Sequence, residues 1–417
     1  MSATPAPGAF RSLRIRNYRL WAAGAFVSNV GTWMQRTAQD WLVLVQLTPR
    51  NATAVGLVMA LQFGPSLVLL PLTGLAADHL DRRKLLFVTQ GAMGVLALGL
   101  GVLTVSGSVE LWHVYVFAGL LGCASAFDAP ARQTFVAELV GSADLSNAVA
   151  LNSTSFQAAR MIGPAVAGVL IAGVGTGWVF LLNAASFAAV LVALSRLSVH
   201  DLHRTHRAEL KRGSLGEGVR YVRSHADLVA VLAMLFLIAT FGLNFPIFIS
   251  TMAVNVFHAG AHEYGLLSSM MAVGSVTGAL LSARRAQPRM SLLIAGAGVF
   301  GAGCLAAALM PAYWLFGATL VVIGIASQTF MTTANSTMQL ATDPLMRGRV
   351  MAIYMAIALG ATPLGAPIVG WVADAFGPRW ALGVAAAAGA CAGLVGWRHL
   401  RRMRQAGVSA APATPTG

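Results

Sequence analysis

Twelve apolar runs, each about as long as a membrane-spanning helix, follow one another along this chain of 417 residues, and they leave few architectures open. They fall at 20–45, 55–77, 85–105, 111–129, 148–173 and 178–195, then at 228–251, 265–283, 291–310, 313–333, 350–372 and 380–397. The chain is 57% hydrophobic and 10% charged, with a mean hydropathy of +0.71. Too few polar residues are present to cover a water-soluble particle, so the solvent for most of the surface is lipid. The expected fold class is an all-α membrane protein with twelve transmembrane helices.

The formal net charge of +14 raises the possibility of nucleic acid, because basic proteins bind phosphate backbones by releasing counterions. The distribution argues otherwise. Of 28 Lys and Arg, 24 lie in the two tails and in the loops that follow even-numbered spans. Arg50 and Arg379 fall on the opposite side, and Arg36 and Arg160 fall within spans. This asymmetry sets topology, with both termini in the cytoplasm and the chain in the cell (inner) membrane, and no nucleic-acid partner is expected. The first apolar run is too long, and lacks the cleavage site, for a secretory signal.

Chemistry-bearing motifs are few. Cys123, Cys304 and Cys391 sit in apolar runs without CxxC spacing, so neither a disulfide framework nor a metal site is expected. The glycines of 296–301 match GxGxxG but lie inside the ninth run, with no strand before them, and read as helix packing. No HExxH, GxSxG or Walker sequence occurs, so neither an enzyme nor an ATP-driven pump is expected, and no cofactor.

The polar segment 200–225 carries six bases and separates the sixth run from the seventh. The expected organisation is a tail at 1–19, a six-helix bundle at 20–195, a linker at 196–227, a second bundle at 228–397 and a tail at 398–417. The halves resemble each other. Residues 122–168 align without a gap on 324–370, at an offset of 202 that sets Gly163-Pro164 and Gly168 over Gly365-Ala366 and Gly370. A parallel duplication of six helices is the mark of carriers whose halves rock about a site between them. Their charge is unequal: Arg36, Asp40, Asp128 and Arg160 all belong to the first half. Ionisable groups in a bilayer are costly and point by default to function, which places ion coupling in that half.

After the second run comes GLAADHLDRRK at 74–84. Gly74 and Asp78 share a helix face, the glycine permitting close helix approach, while Arg82, Arg83 and Lys84 offer cations to the carboxylate. This loop resembles the signature between the second and third helices of the major facilitator superfamily. Two positions depart from it: His79 stands where the pattern has Arg or Lys, and Asp81 where it has Gly. The segment from Phe127 to Gln133, with Asp128, Pro130 and Arg132, resembles the bacterial exporter branch that includes the enterobactin exporter, of the transmembrane secretion effector type. Asp128 reads as a gate acid pairing with Arg82 or Arg83, and second as a proton site. Gly163, Pro164 and Gly168 resemble the fifth-helix motif of proton antiporters, with Ala167 in place of one glycine.

On the first helix, Asn29, Trp33, Arg36 and Asp40 recur at helical spacing, flanked by Gln35 and Gln39. Two readings compete for Arg36 and Asp40: a proton carrier tuned by its neighbouring cation, or a permanent ion pair that positions the helix. The resemblance implies a central cavity lined by the first, fourth, seventh and tenth helices. Arg160 and the neutral groups Asn244, Gln328, Thr332 and Asn335 are candidates to line it. The expected function is export of an amphipathic small molecule by alternating access, in antiport with protons, by a monomer. Siderophore export is the alternative within transport, and a non-transporting sensor or scaffold the alternative from another class.

Overall fold

A computed structural model describes residues 10–70, 72–73, 76, 80–203, 215–283 and 289–409. Gly74 and Asp78, the centre of the expected latch, lie outside the described residues. Thirteen helices occur among those described: α1 (Arg16–Trp41), α2 (Ala52–Val68), α3 (Arg82–Val105), α4 (Leu111–Gly141), α5 (Ala143–Val174), α6 (Thr176–Ser195), α7 (Leu215–Ser224), α8 (Ala226–Val256), α9 (Ala261–Ala283), α10 (Met290–Leu309), α11 (Tyr313–Leu340), α12 (Arg347–Phe376) and α13 (Pro378–Ser409). Ten of them are long and apolar enough to cross a membrane. The remaining two expected spans differ in kind: α2 is a shorter apolar helix, and α1 carries Arg16, Arg19, Arg36 and Asp40 along its length.

Local chemistry accounts for the boundaries. Asn51 caps α2 by accepting the Ala54 N–H, and Asp81 caps α3 by accepting the Lys84 N–H at 3.0 Å. Asp81 thus begins a helix where the superfamily pattern has glycine. The fourth helix was expected to end at 129 but continues to Gly141, because Pro130 costs one hydrogen bond without ending it. The break comes at Gly141, whose φ of +69° only glycine adopts readily. The linker, expected as a polar connection, contains α7, which buries Val222 and places Glu217 2.7 Å from Arg349. Within α8 the helix loosens over Ile238–Gly242 and restarts at Phe245 with Pro246 in its first turn.

The helices form two bundles. In the first, α1 packs on α5 and α6, and α3 on α6; in the second, α9 packs on α11, and α10 on α11 and α13. The bundles meet where α2 crosses α12 and α5 crosses α9. Glycines at the repeat offset lie at equivalent crossings. A Cβ added to Gly122 would lie 2.6 Å from the Gln62 carbonyl oxygen of α2, and one on Gly324 2.4 Å from that of Met271 on α9. Gly168 meets the start of α9 at Ala261, and Gly370 meets the start of α2 at Ala52. Gly175 and Gly377, also 202 apart, make the turns after α5 and α12 with φ of +89° and +101°. The internal duplication is therefore present in backbone approach as well as in sequence.

We call the end holding the start of α1, α7 and the end of α13 the near end, and the opposite one the far end. The bundles are joined at the far end. Asp374 of α12 accepts the Ala52 and Thr53 N–H groups at 2.7 and 2.8 Å and the Thr53 hydroxyl at 2.6 Å, so one half caps a helix of the other.

Candidate functional site

A cavity of about 400 Å³ lies between the bundles. The i, i+3, i+7 spacing of Trp33, Arg36 and Asp40 puts all three on the α1 face that lines it. Gln62 and Phe63 come from α2, Arg160 and Pro164 from α5, Phe245 from α8, Tyr264, Ser268 and Met271 from α9, Ser327, Gln328 and Met331 from α11, and Leu359 and Thr362 from α12. The first half supplies the charged groups Arg36, Asp40 and Arg160, whereas the second supplies neutral ones. Phe156, one turn nearer the near end, meets Trp33 edge-to-face at 5.9 Å and is 44% exposed.

Trp33 organises the cations. The Arg36 guanidinium carbon lies 4.8 Å from the Trp33 ring centre and 5.1 Å from that of Phe63, and the Arg160 carbon lies 5.6 Å from Trp33. Each such contact contributes about 0.5–2 kcal/mol. The Arg36–Asp40 ion pair that one of the two readings requires is not formed, since no oxygen of Asp40 is within 4.0 Å of an Arg36 nitrogen. The two aromatic rings hold the guanidinium instead. Asp40 accepts a hydrogen bond from the Tyr264 hydroxyl at 3.2 Å, across the boundary between the halves, and the Tyr264 ring stacks on Trp41 at 6.0 Å. Sequence reasoning missed Tyr264. Its signal was the series Tyr264, Ser268, Met271 at helical spacing on α9.

Other candidates lie elsewhere. Asn29 shares the Arg36 face but sits nearly two turns closer to the near end, where Arg132 Nη1 reaches its Oδ1 at 3.2 Å. Gln35 accepts from Asn183 of α6 at 2.6 Å and Gln39 from Gln62 of α2 at 3.1 Å, both within the first bundle. Asn244 donates to the Thr240 carbonyl at the α8 break and is fully buried. Gln328 reaches the cavity and donates to Thr332 at 3.3 Å, while Asn335 accepts from Gln339. Thr332 and Asn335 do not line the cavity.

Asp128, expected opposite Arg82 or Arg83, pairs with Arg132 on its own helix at 2.9 Å and accepts from Thr89 and Gln90 of α3 at 2.9 and 2.6 Å. Arg82 instead meets Glu138 at 2.6 Å, on the stretch of α4 beyond its expected end, and Arg83 donates to the Leu194 carbonyl. The helix extension explains the exchange of partners. Of the packing motif, Gly163 sits against Trp33 and the Met34 backbone, Pro164 lines the cavity, and Gly168 meets α9.

The chain is similar to known proteins in sequence and in fold. The chain is 26% identical over 360 residues to the staphyloferrin A transporter of Staphylococcus aureus, covering 85% of this chain and 89% of that one. It is 27% identical to the multidrug efflux pump Tap of Mycolicibacterium fortuitum, covering 85% and 88%. It is also 27% identical to the enterobactin exporter EntS of Citrobacter koseri, covering 79% of each. In fold it is similar to a bacterial homologue of the lysosomal transporter Spinster in an inward-facing conformation, with TM-score 0.71, 13% identity and 92% and 97% coverage. It is similar also to the inward-open xylose transporter XylE of E. coli, with TM-score 0.70, 12% identity and 92% and 95% coverage. The family model described as transmembrane secretion effector matches residues 7–414. The chain therefore belongs to the transmembrane secretion effector family of major facilitator transporters.

Proposed function

We propose that this transporter exports an amphipathic small molecule across the cytoplasmic membrane in exchange for protons, working as a monomer with both termini and the linker in the cytoplasm. The observation that carries the reading is Asp40: a carboxylate in the wall of a cavity between two rocking halves, with no ion-pair partner within 4.0 Å. An acid so placed takes a proton without breaking a salt bridge. Arg36 and Arg160 tune it through the field they hold at Trp33. The near end becomes the cytoplasmic side on the positive-inside argument, and the Asp374 contact that joins the halves at the far end supports an inward-facing reading.

The apolar part of the cargo fits against Phe63, Phe245, Met271 and Met331, and Gln62 and Gln328 offer it hydrogen bonds. Siderophore export is the second reading, favoured by the two guanidiniums beside one ring, which suit an anionic chelator. Gly74, Asp78, Arg82 and Arg83 are assigned to the cytoplasmic latch, with Asp128 and Arg132 bracing the first bundle behind it.

The test is Asp40→Asn reconstituted in vesicles. The amide keeps shape and polarity but carries no proton, so exchange of cargo for cargo persists while accumulation driven by a pH gradient is lost. Accumulation with unchanged proton dependence would remove Asp40 as the coupling site.

A further inference from the structure

An exchanger works only if its empty form stays put. A carrier that reorients while holding neither proton nor cargo lets cargo leak down its own gradient and wastes the gradient that drives it. Some contact must hold the empty, deprotonated state and yield when a proton arrives. Such a contact has to cross between the halves and to contain the titrating acid.

The bond from Tyr264 to Asp40 meets both conditions. Tyr264 stands at the start of α9, where Gly168 of α5 packs on Ala261 and His262 and where Gly265 packs on Pro164. Its side chain is held flat on Trp41 of α1 and its hydroxyl donates to Asp40 Oδ2 at 3.2 Å. Tyr264 is 2% exposed and Asp40 7%, so the bond is largely shielded from water although both residues border the cavity. Opening the far end separates α1 from α9 and breaks it. A phenolic donor binds a carboxylate about twice as strongly as it binds a neutral carboxyl group, so the strength of this cross-half link follows the proton on Asp40.

The other groups around Asp40 do not take that role. Arg36 on its own helix and Arg160 on α5 keep their charge and set a constant field. The element α2 presents the neutral Gln62, and the stretch of α8 from Phe245 to Val256 has no ionisable side chain. On α9, His262 is exposed and Glu263 half-buried, and neither is hydrogen-bonded to Asp40.

The geometry points to Tyr264 as the positioning residue that makes exchange obligatory, by tying deprotonated Asp40 to the opposite half and keeping the empty carrier closed at its far end. This rests on the proton-exchange reading above. Protonation of Asp40 releases the tie, and cargo entering against the α9 wall displaces it.

The experiment needs no cargo. In the full chain with Cys123, Cys304 and Cys391 replaced by alanine, Ala272→Cys in the cavity wall reports opening through labelling by a membrane-impermeant maleimide from the far side. Maleimide reacts with the thiolate, so each rate is divided by that of the same protein denatured in the same buffer. With Tyr264 present, this ratio is low in alkaline buffer and rises about tenfold or more in acid, the range expected for loss of one charge-assisted hydrogen bond. With Tyr264→Phe, which keeps the ring on Trp41, the ratio is high in both buffers and the pH step disappears. Tyr264→Met fills the wall without a ring and serves where the phenylalanine protein does not fold, with the same expected outcome. Asp40→Asn also gives a flat profile. A Tyr264→Phe protein that keeps the full step overturns the inference and leaves the proton-exchange reading standing. Absence of a step with Tyr264 present overturns both.

Discussion

Gly163 and Gly365 hold equivalent places in the two halves, each pressing a helix of the far-end seam onto its own bundle. A Cβ on Gly163 would lie 2.5 Å from the Trp33 Cβ of α1, whereas one on Gly365 would lie 1.6 Å from the Thr240 carbonyl oxygen of α8. The Trp33 Cβ is fixed to its backbone, with Met34 N and Val30 O each 3.2 Å from the added atom, so both substitutions must move a helix, and the approach at Gly365 is the closer.

Gly163→Ala is therefore expected to push α5 away from α1, with a loss of about 1–3 kcal/mol from overpacking. Gly365→Ala pries α12 from α8 and should abolish accumulation of folded protein. Size-exclusion profiles and melting in detergent would separate the two, and equal melting temperatures would contradict the contacts described.

Because Trp33 faces both cavity cations, Trp33→Ala removes the surface that holds them, while Trp33→Phe keeps a weaker one. The alanine variant should weaken cargo binding about 5- to 30-fold, and the phenylalanine variant by less than about fivefold. Arg36→Lys should be milder than Arg36→Gln if charge alone matters. Equilibrium binding to the purified protein measures each.

Asp374 caps α2 from the other half, and its removal should favour opening at the far end. As the residue is exposed, screening keeps the effect of Asp374→Asn to about 1 kcal/mol, or about fivefold in the far-end-open population. Maleimide labelling of Ala272→Cys from the far side would report it, and unchanged labelling would show that the cap does not hold the seam.

Asp128 is buried with three donors, so Asp128→Asn removes the charge that pairs with Arg132 and should cost about 3–5 kcal/mol of stability. Protein that survives should keep the pH dependence of transport. Loss of that dependence in a well-folded variant would return Asp128 to the coupling role.

The helices and the duplication were legible because lipid imposes a length on every apolar run and because glycine is needed wherever backbones touch. Arg160 and Gln328, named from the sequence as cavity candidates, and Arg36 and Asp40, named there as coupling residues, all border the cavity, because polar groups in a span are costly and face inward. Asn29, Gln35 and Asn244 carry the same signal yet satisfy neighbouring helices, and sequence spacing does not tell a cavity from a packed polar contact. Tyr264 escaped because its partner lies 224 residues away, and α4 ran past its expected end because a proline inside a helix does not always stop it.

The crossings between the halves rest on glycine against backbone carbonyl, with no side chain in between: Gly56 on Ala366, Gly370 on Ala52, Gly265 on Pro164. At such a seam almost any substitution is an insertion of volume, so variation is forbidden there. The cavity a few ångströms away is lined by side chains that can be exchanged one at a time without disturbing it. Lineages built this way can therefore diverge in what they carry while inheriting the same hinge unchanged.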